Sequence, residues 1–277
     1  MGEADTAGRW AGHTRRTVVG TVVIVAMVVL SAAPGGAITG GEPDAGRHPW
    51  VGGTVIFLPP IQRTIVNCTG TLVAPSVFVT AAHCGRDGAR IPVTFDEDFD
   101  AATSVRYPGT FITHPDYDPA FEFRRDVAVI VLDEPIAVDP ADLPRLPSAN
   151  LLGQMNAAGA LDPSTKFTFV GYGFLGYENG PGGKQPIIGQ DRYLSVGSYQ
   201  ALNKDRLRTS QNPTQGDGGT CDGDSGAPNF LGAGAGETDI VVALTSTGDT
   251  YCRATNVAYR LDTLQARSFL AGYLTLP

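Results

Sequence analysis

The chain has 277 residues, 42% hydrophobic and 17% charged, with 35 Gly, 20 Pro and a net charge of −8. That apolar content excludes a disordered chain. The acidic balance, with no run of Lys or Arg, excludes nucleic-acid binding through phosphate neutralisation and offers nothing to an anionic membrane.

From the amino end, Arg15 and Arg16 precede the charge-free apolar run Val18 to Leu30, and the small residues Ser31 to Ala33 and Gly35 to Ala37 follow. This is the charged, apolar, small-residue order of an export signal. The run is shorter than the roughly 20 residues that span a bilayer. Residues 1–37 are therefore expected to leave as a signal peptide, making the protein secreted, extracellular and without stable membrane association. Cleavage could fall after Ala37, or after Ala33 to leave 34–37 as a very short propeptide. Thr14 to Val19 also fits a loose twin-arginine pattern, so the export route stays open.

Beyond residue 37 the pattern is short runs rich in Val, Ile, Thr and Phe, bounded by Gly, Pro, Asp or Asn. Expected strands are Val51 to Leu58, Ile65 to Val73, Val77 to Thr80, Val127 to Leu132, Lys166 to Gly171, Tyr193 to Val196, Ile240 to Thr245 and Asn256 to Leu261. Many short strands without long amphipathic helices between them indicate an all-β sandwich or barrel. Pro-rich Asp139 to Pro147 is a natural linker between two β halves. Gly176 to Gly189 and Gln211 to Gly219 read as long loops. Apolar residues at 261, 264, 269, 270, 273 and 274 predict a short closing helix over 261–274.

Four cysteines, at 68, 84, 221 and 252, form an even set in an exported chain. They argue for two disulfides with three possible pairings, of which Cys68–Cys84 with Cys221–Cys252 is the shortest-range. No Cys-x-x-Cys pair or His-Glu-x-x-His stretch occurs, so no metal and no cofactor are expected. The acidic run Asp96-Glu97-Asp98 to Asp100 is a possible calcium loop that reads more simply as a solvated turn.

The stretch C-D-G-D-S-G-A-P, Cys221 to Pro228, asks whether Ser225 is a nucleophile. It would need a base. His48 and His114 each precede a proline and read as surface turns. His83, in T-A-A-H-C beside Cys84, follows an apolar strand, and an imidazole held there can take a hydroxyl proton without first being ordered. Asp126, opening the apolar strand Val127 to Leu132, is the acid to orient that base, because a carboxylate drawn into a poorly hydrated place needs a hydrogen-bond partner. No histidine follows residue 114, which excludes the Ser, acid, His order of an α/β-hydrolase. The helices of a subtilisin-type chain are missing too.

With His83, Asp126 and Ser225 in that order, the chain resembles the chymotrypsin/trypsin-like serine endopeptidases. T-A-A-H-C at 80–84, D-V-A-V at 126–129 and G-D-S-G at 223–226 are similar to that family's three signatures, I-T-G-G at 38–41 to its mature amino terminus, and H-P-W at 48–50 follows at a familiar distance. The resemblance covers Ile38 to Pro277. It implies two six-stranded-type antiparallel β-barrels packed together, about 38–140 and 148–260, with a short C-terminal helix. It also implies a monomer that hydrolyses peptide bonds of protein or peptide substrates through an acyl-enzyme. The carried-over roles are Ser225 as nucleophile, His83 as base then acid, Asp126 as orienting carboxylate, and the N–H groups of Gly223 and Ser225 as oxyanion donors. Asp224 would pair with the freed α-ammonium of Ile38. The Cys68–Cys84 bridge would brace the histidine loop, and Cys221–Cys252 would tie the serine loop to the pocket wall.

The substrate pocket departs from the pattern. Where trypsin-like members carry an aspartate six residues before the serine, this chain has Gly219, followed by Thr220. Ser246-Thr247-Gly248 lacks the usual tryptophan, and Asn256 takes a wall position that is usually glycine. A polar, narrowed pocket for neutral side chains is expected, rather than one for Arg or Lys. A protease-fold binding module without catalysis, and an ester-directed acyl-transfer enzyme, are the competing readings. The module normally betrays itself by a replaced triad residue, and none is replaced here.

Overall fold

The computed structural model describes residues 1–2 and 38–277, apart from 122 and 182. All but the first two residues of the expected signal segment lie outside the described residues. In chain order the elements are β1 (Glu42–Pro43), β2 (Val51–Leu58), β3 (Arg63–Ala74), β4 (Val77–Thr80), β5 (Val93–Thr94), β6 (Gly109–Thr113) and β7 (Ala128–Leu132). There follow α1 (Leu151–Ala157), β8 (Lys166–Gly171), β9 (Gly176–Gly180), β10 (Gly183–Ile187), β11 (Tyr193–Leu202), β12 (Arg206–Ser210), β13 (Pro228–Leu231), β14 (Val241–Gly248), β15 (Thr255–Arg260) and α2 (Leu264–Leu270).

Each half curls on itself. The first sheet runs β5-β2-β3-β4-β7-β6, and bridges Arg90↔Thr110 and Val93↔Tyr107 draw its two edges together. The second runs β1-β11-β12-β15-β14-β13-β8, and β8 pairs with β11 as well as β13, closing a ring of six. Every strand pairing is antiparallel. The architecture is thus all-β, in two barrel-like halves with a short C-terminal helix. One segment crosses over: β1, the first strand in chain order among the described residues, pairs with β11 of the second barrel and so precedes the strands of the first.

The strand period of two explains how the halves meet. Along β7, Ala128, Ile130 and Leu132 enter the first barrel's core with Leu72, Phe78 and Phe111. Val129, with Val127 just before the strand, points the other way, to a second core with Val51, Val79, Val170, Leu244 and Tyr259. A strand buried on both faces carries no polar alternation, hence the unbroken V-A-V-I-V-L. A third core, with Phe167, Phe169, Leu207 and Ala258, fills the second barrel and takes in the side chain of Ile38. The carboxylate of Asp126 therefore stands at the mouth of the interface between the barrels.

Candidate active site

His83 lies in a 3₁₀ turn, Ala82–Cys84, directly after β4. A disulfide from Cys84 to Cys68 on β3 fixes the turn from below. Asp126 is fully buried. It accepts the backbone N–H of His83 at Oδ1 (3.0 Å), and His83 Nδ1 at Oδ2 (2.9 Å). The Ser246 hydroxyl donates to the same Oδ2 at 2.5 Å. Three donors satisfy a buried carboxylate that would otherwise cost several kcal/mol, roughly. They also set the imidazole tautomer: Nδ1 carries the proton, and Nε2 is left with its lone pair. Nε2 makes no hydrogen bond among the described residues, and the ring is 19% exposed. Phe123 packs against it, ring centres 5.1 Å apart.

Ser225 sits across the same cleft. The cavity of about 410 Å³ there is lined by His83, Phe123, Thr220, Cys221, Ser225, Ser246 and Gly248, among others. The Ser225 hydroxyl makes no hydrogen bond among the described residues. The serine turn needs two glycines. Gly223 has φ +97°, and a Cβ there would come within 2.8 Å of Gly173 Cα. Gly226 has φ +82°, and a Cβ would meet Thr80 Oγ1 at 2.2 Å. In this turn Asp224 N–H donates to Cys221 O (2.9 Å) and Gly226 N–H to Thr245 O (2.7 Å). The N–H groups of Gly223 and Ser225 between them have no acceptor among the described residues. Two unused amides beside a hydroxyl make a place for a negatively charged oxygen.

Asp224 turns away from the cleft. It is fully buried and accepts N–H groups of Gly173 (2.9 Å) and Cys221 (2.8 Å). Burial outweighs those two hydrogen bonds and pushes its carboxyl up to about 7, with Asp222 adding to the rise. No cation reaches it among the described residues. Ile38 docks next door: its N–H donates to Phe174 O (3.3 Å), one residue from the Gly173 that holds Asp224. Thr39 and Gly219 exchange hydrogen bonds at 2.9 Å in each direction, an isolated bridge that ties the segment after Ile38 to the loop leading into the serine turn. The Ile38 side chain is fully buried, and its φ is +79°, unusual for a β-branched residue.

The expected pocket residues divide. Thr220, Ser246 and Gly248 line the cavity. Gly219 and Asn256 lie behind it, Asn256 donating from Nδ2 to Asn229 Oδ1 (3.0 Å) in the interior. The second disulfide joins Cys221 to Cys252, tying the serine turn to a loop that borders the cavity. Sequence reasoning took Ser246 only as pocket wall and missed its bond to Asp126, and it missed Gln211 altogether. Gln211 sits at the end of β12 with its Oε1 on the Thr220 hydroxyl (3.2 Å).

The other histidines are not the surface turns their prolines led one to expect. His114 is buried against Phe269. His48 is held between two carboxylates, Asp44 on Nδ1 (2.5 Å) and Glu237 on Nε2 (2.6 Å). Burial disfavours its charge, yet both carboxylates raise its pKa above the ordinary value. Asp44 also accepts from Arg192 (2.9 Å), which reaches on to Glu97 and to the Tyr172 hydroxyl. Glu97 further accepts the N–H groups of Ala45 and Gly46. Asp96 accepts from Val105, and Asp100 from Ala102 and Thr103. The acidic run expected to be solvated thus fastens its own loop and the segment after β1. Among the described residues, the one cluster of three possible metal-ligand atoms is Cys68, His83 and Cys84, and both its sulfurs are bridged.

The family model described as Trypsin matches residues 38–266. A curated protein named Trypsin, from Saccharopolyspora erythraea, is 30% identical over 228 residues, covering 78% of this chain and 88% of that protein. Ovochymase of Halocynthia roretzi is 27% identical over 175 residues, 58% of this chain. There the match spans only 10% of the relative's length.

Proposed function

The chain belongs to the trypsin family of serine proteases, and from that membership we propose that it is a secreted serine endopeptidase acting through Ser225, His83 and Asp126. The observation that carries the reading is the pairing of a tautomer-fixed imidazole, with Nε2 unoccupied, and an unbonded serine hydroxyl in one cavity. In the proposed sequence Ser225 Oγ attacks the scissile carbonyl carbon as its proton passes to His83 Nε2. The imidazolium is stabilised by Asp126, whose position Ser246 holds. The carbonyl oxygen, now negative, takes the N–H groups of Gly223 and Ser225, and loss of one such donor typically costs about 10²–10³ in rate. His83 then protonates the leaving amine, and water repeats the cycle on the acyl-enzyme to release the acid.

The same reading gives Asp224 and Ile38 their work. Removal of residues 1–37 would create an α-ammonium at Ile38, beside the residues that already hold Asp224, and the buried carboxylate would gain its counter-charge. Two disulfides fit export to an oxidising compartment.

A fluorophosphonate probe tests the assignment on protein whose amino terminus is verified as Ile38. The expected result is covalent labelling of the wild type and none of Ser225→Ala, with both folded. Absence of labelling in correctly processed wild type assigns the fold to binding rather than catalysis.

A further inference from the structure

Behind the cleft cavity lies an unexpected side chain. At Gly219, six residues before the nucleophile, a Cβ would fall 2.0 Å from Gln211 Oε1 and 2.3 Å from both Cδ and Cγ. The Gln211 carboxamide therefore fills the space that any side chain at 219 would enter. It reaches sideways beneath the cavity wall: Oε1 accepts the Thr220 hydroxyl at 3.2 Å, and a Cβ on Gly248 would stand 3.9 Å from Nε2. Thr220 and Gly248 both face the cavity, while Gln211 and Asn256 behind them are fully buried. Gln211 Nε2 and Asn256 Oδ1 are also buried without hydrogen-bond partners. The side chains bonded around this carboxamide and Asn256 are neutral, Thr220, Asn229 and Thr245, while the charged residues of the cavity lining are Lys184, Asp222 and Asp249.

We infer that Gln211, backed by Asn256, closes the floor of the substrate pocket, and that the enzyme cleaves after small uncharged residues, alanine, serine, threonine or valine. This rests on the proteolytic reading above. A longer side chain would have to displace a carboxamide wedged against the Gly219 backbone, and a lysine or arginine would meet that neutral carboxamide where a carboxylate at position 219 would have received its charge. The strand-end residue, rather than the residue six before the serine, sets the specificity. That a glutamine from another segment fills the place was not visible in the spacing around Ser225.

The test is cleavage of one peptide series varied only at the residue before the scissile bond (Ala, Val, Thr, Gln, Phe, Lys), using processed enzyme, with fluorophosphonate labelling run in parallel. Expected is kcat/KM for Ala, Val and Thr at least about tenfold above Gln, Phe and Lys. Gln211→Ala that takes the label should shift the ratio of Gln or Phe to Ala by about tenfold towards the longer residue. Asn256→Gly should shift it in the same direction, and serves where Gln211→Ala fails to fold. Labelled wild type that prefers Lys, Phe or Gln overturns the inference alone, as does an unchanged profile in a folded variant. Unlabelled, correctly processed wild type overturns the proteolytic reading and this inference with it.

Discussion

Two histidines in this molecule bond a buried carboxylate through Nδ1, and they differ at the other nitrogen. His83 has Asp126 on one side and the cleft on the other. His48 has Asp44 on one side and Glu237 on the other. With an acceptor on each nitrogen, His48 must hold both protons to satisfy them, and its raised pKa follows. Such an imidazolium is a clamp between the segment after β1 and the loop that holds Glu237. It has no lone pair to offer. His83 keeps one, because its second nitrogen faces space rather than an anion. The difference between a structural cation and the proposed base lies in what stands at Nε2.

The comparison breaks most sharply by truncating each ring. His83→Ala is expected to lower kcat by roughly 10⁶ with little change in stability. His48→Ala should do the opposite, lowering unfolding free energy by about 3–5 kcal/mol because Asp44 and Glu237 lose the cation they share, with kcat nearly unchanged. Denaturant unfolding and burst-phase kinetics on both variants read this out. Similar activity losses in the two would mean that the clamp also shapes the cleft. Next in size is Asp126→Asn, expected to cost about 10⁴ in kcat by favouring the wrong tautomer, with the fold intact. Ser246→Ala removes one of three donors to Asp126 and should lower kcat about tenfold with KM unchanged, if the bond acts through the imidazole. A change in KM alone would assign Ser246 to the pocket wall.

The smallest effect is in pH. The folded pKa of His48 lies above the free value of 6.5, so its contribution is complete below about pH 6.5 and is lost as pH rises through the folded value. Asp224, pushed up to about 7 in the uncut chain, acts in the same direction between about pH 4 and 7, because there the folded state holds a proton that the unfolded one has released. Unfolding free energies of uncut wild type and of His48→Gln between pH 5 and 9 separate the two. The variant should keep the decline below pH 7 and lose the part above it.

Strand runs with a marked apolar or β-branched character were legible at once, and Val51–Leu58, Val77–Thr80 and Lys166–Gly171 match the expected bounds. The helix α1 was not. Leu151–Ala157 contains Gly153, and its starting residue, Asn150, makes no side-chain cap; the carboxylate of Asp262, far along the chain, caps it by accepting from Leu152 N–H at 2.8 Å. β9 and β10 hid in a glycine-rich stretch read as a loop, since the hairpin is short and largely exposed and needs no apolar alternation. For the candidate site, residues bound to their neighbours by short spacing, such as the Cys221 to Pro228 turn, could be read from the chain. Contacts between distant segments could not: Ser246 on Asp126 spans 120 positions, and His48 on Glu237 spans 189.

The backbone at Ile38 bears on the proposed cleavage of the 37–38 bond. A β-branched residue at φ +79° holds roughly 1–3 kcal/mol of torsional energy. That angle is defined by the carbonyl carbon of residue 37, so hydrolysis of the 37–38 bond deletes one of its four atoms, and the twist vanishes with it. Trimming would then unload a spring at the point where the new ammonium has to settle. The leader's departure would act as a ratchet, since religation would have to wind the spring again.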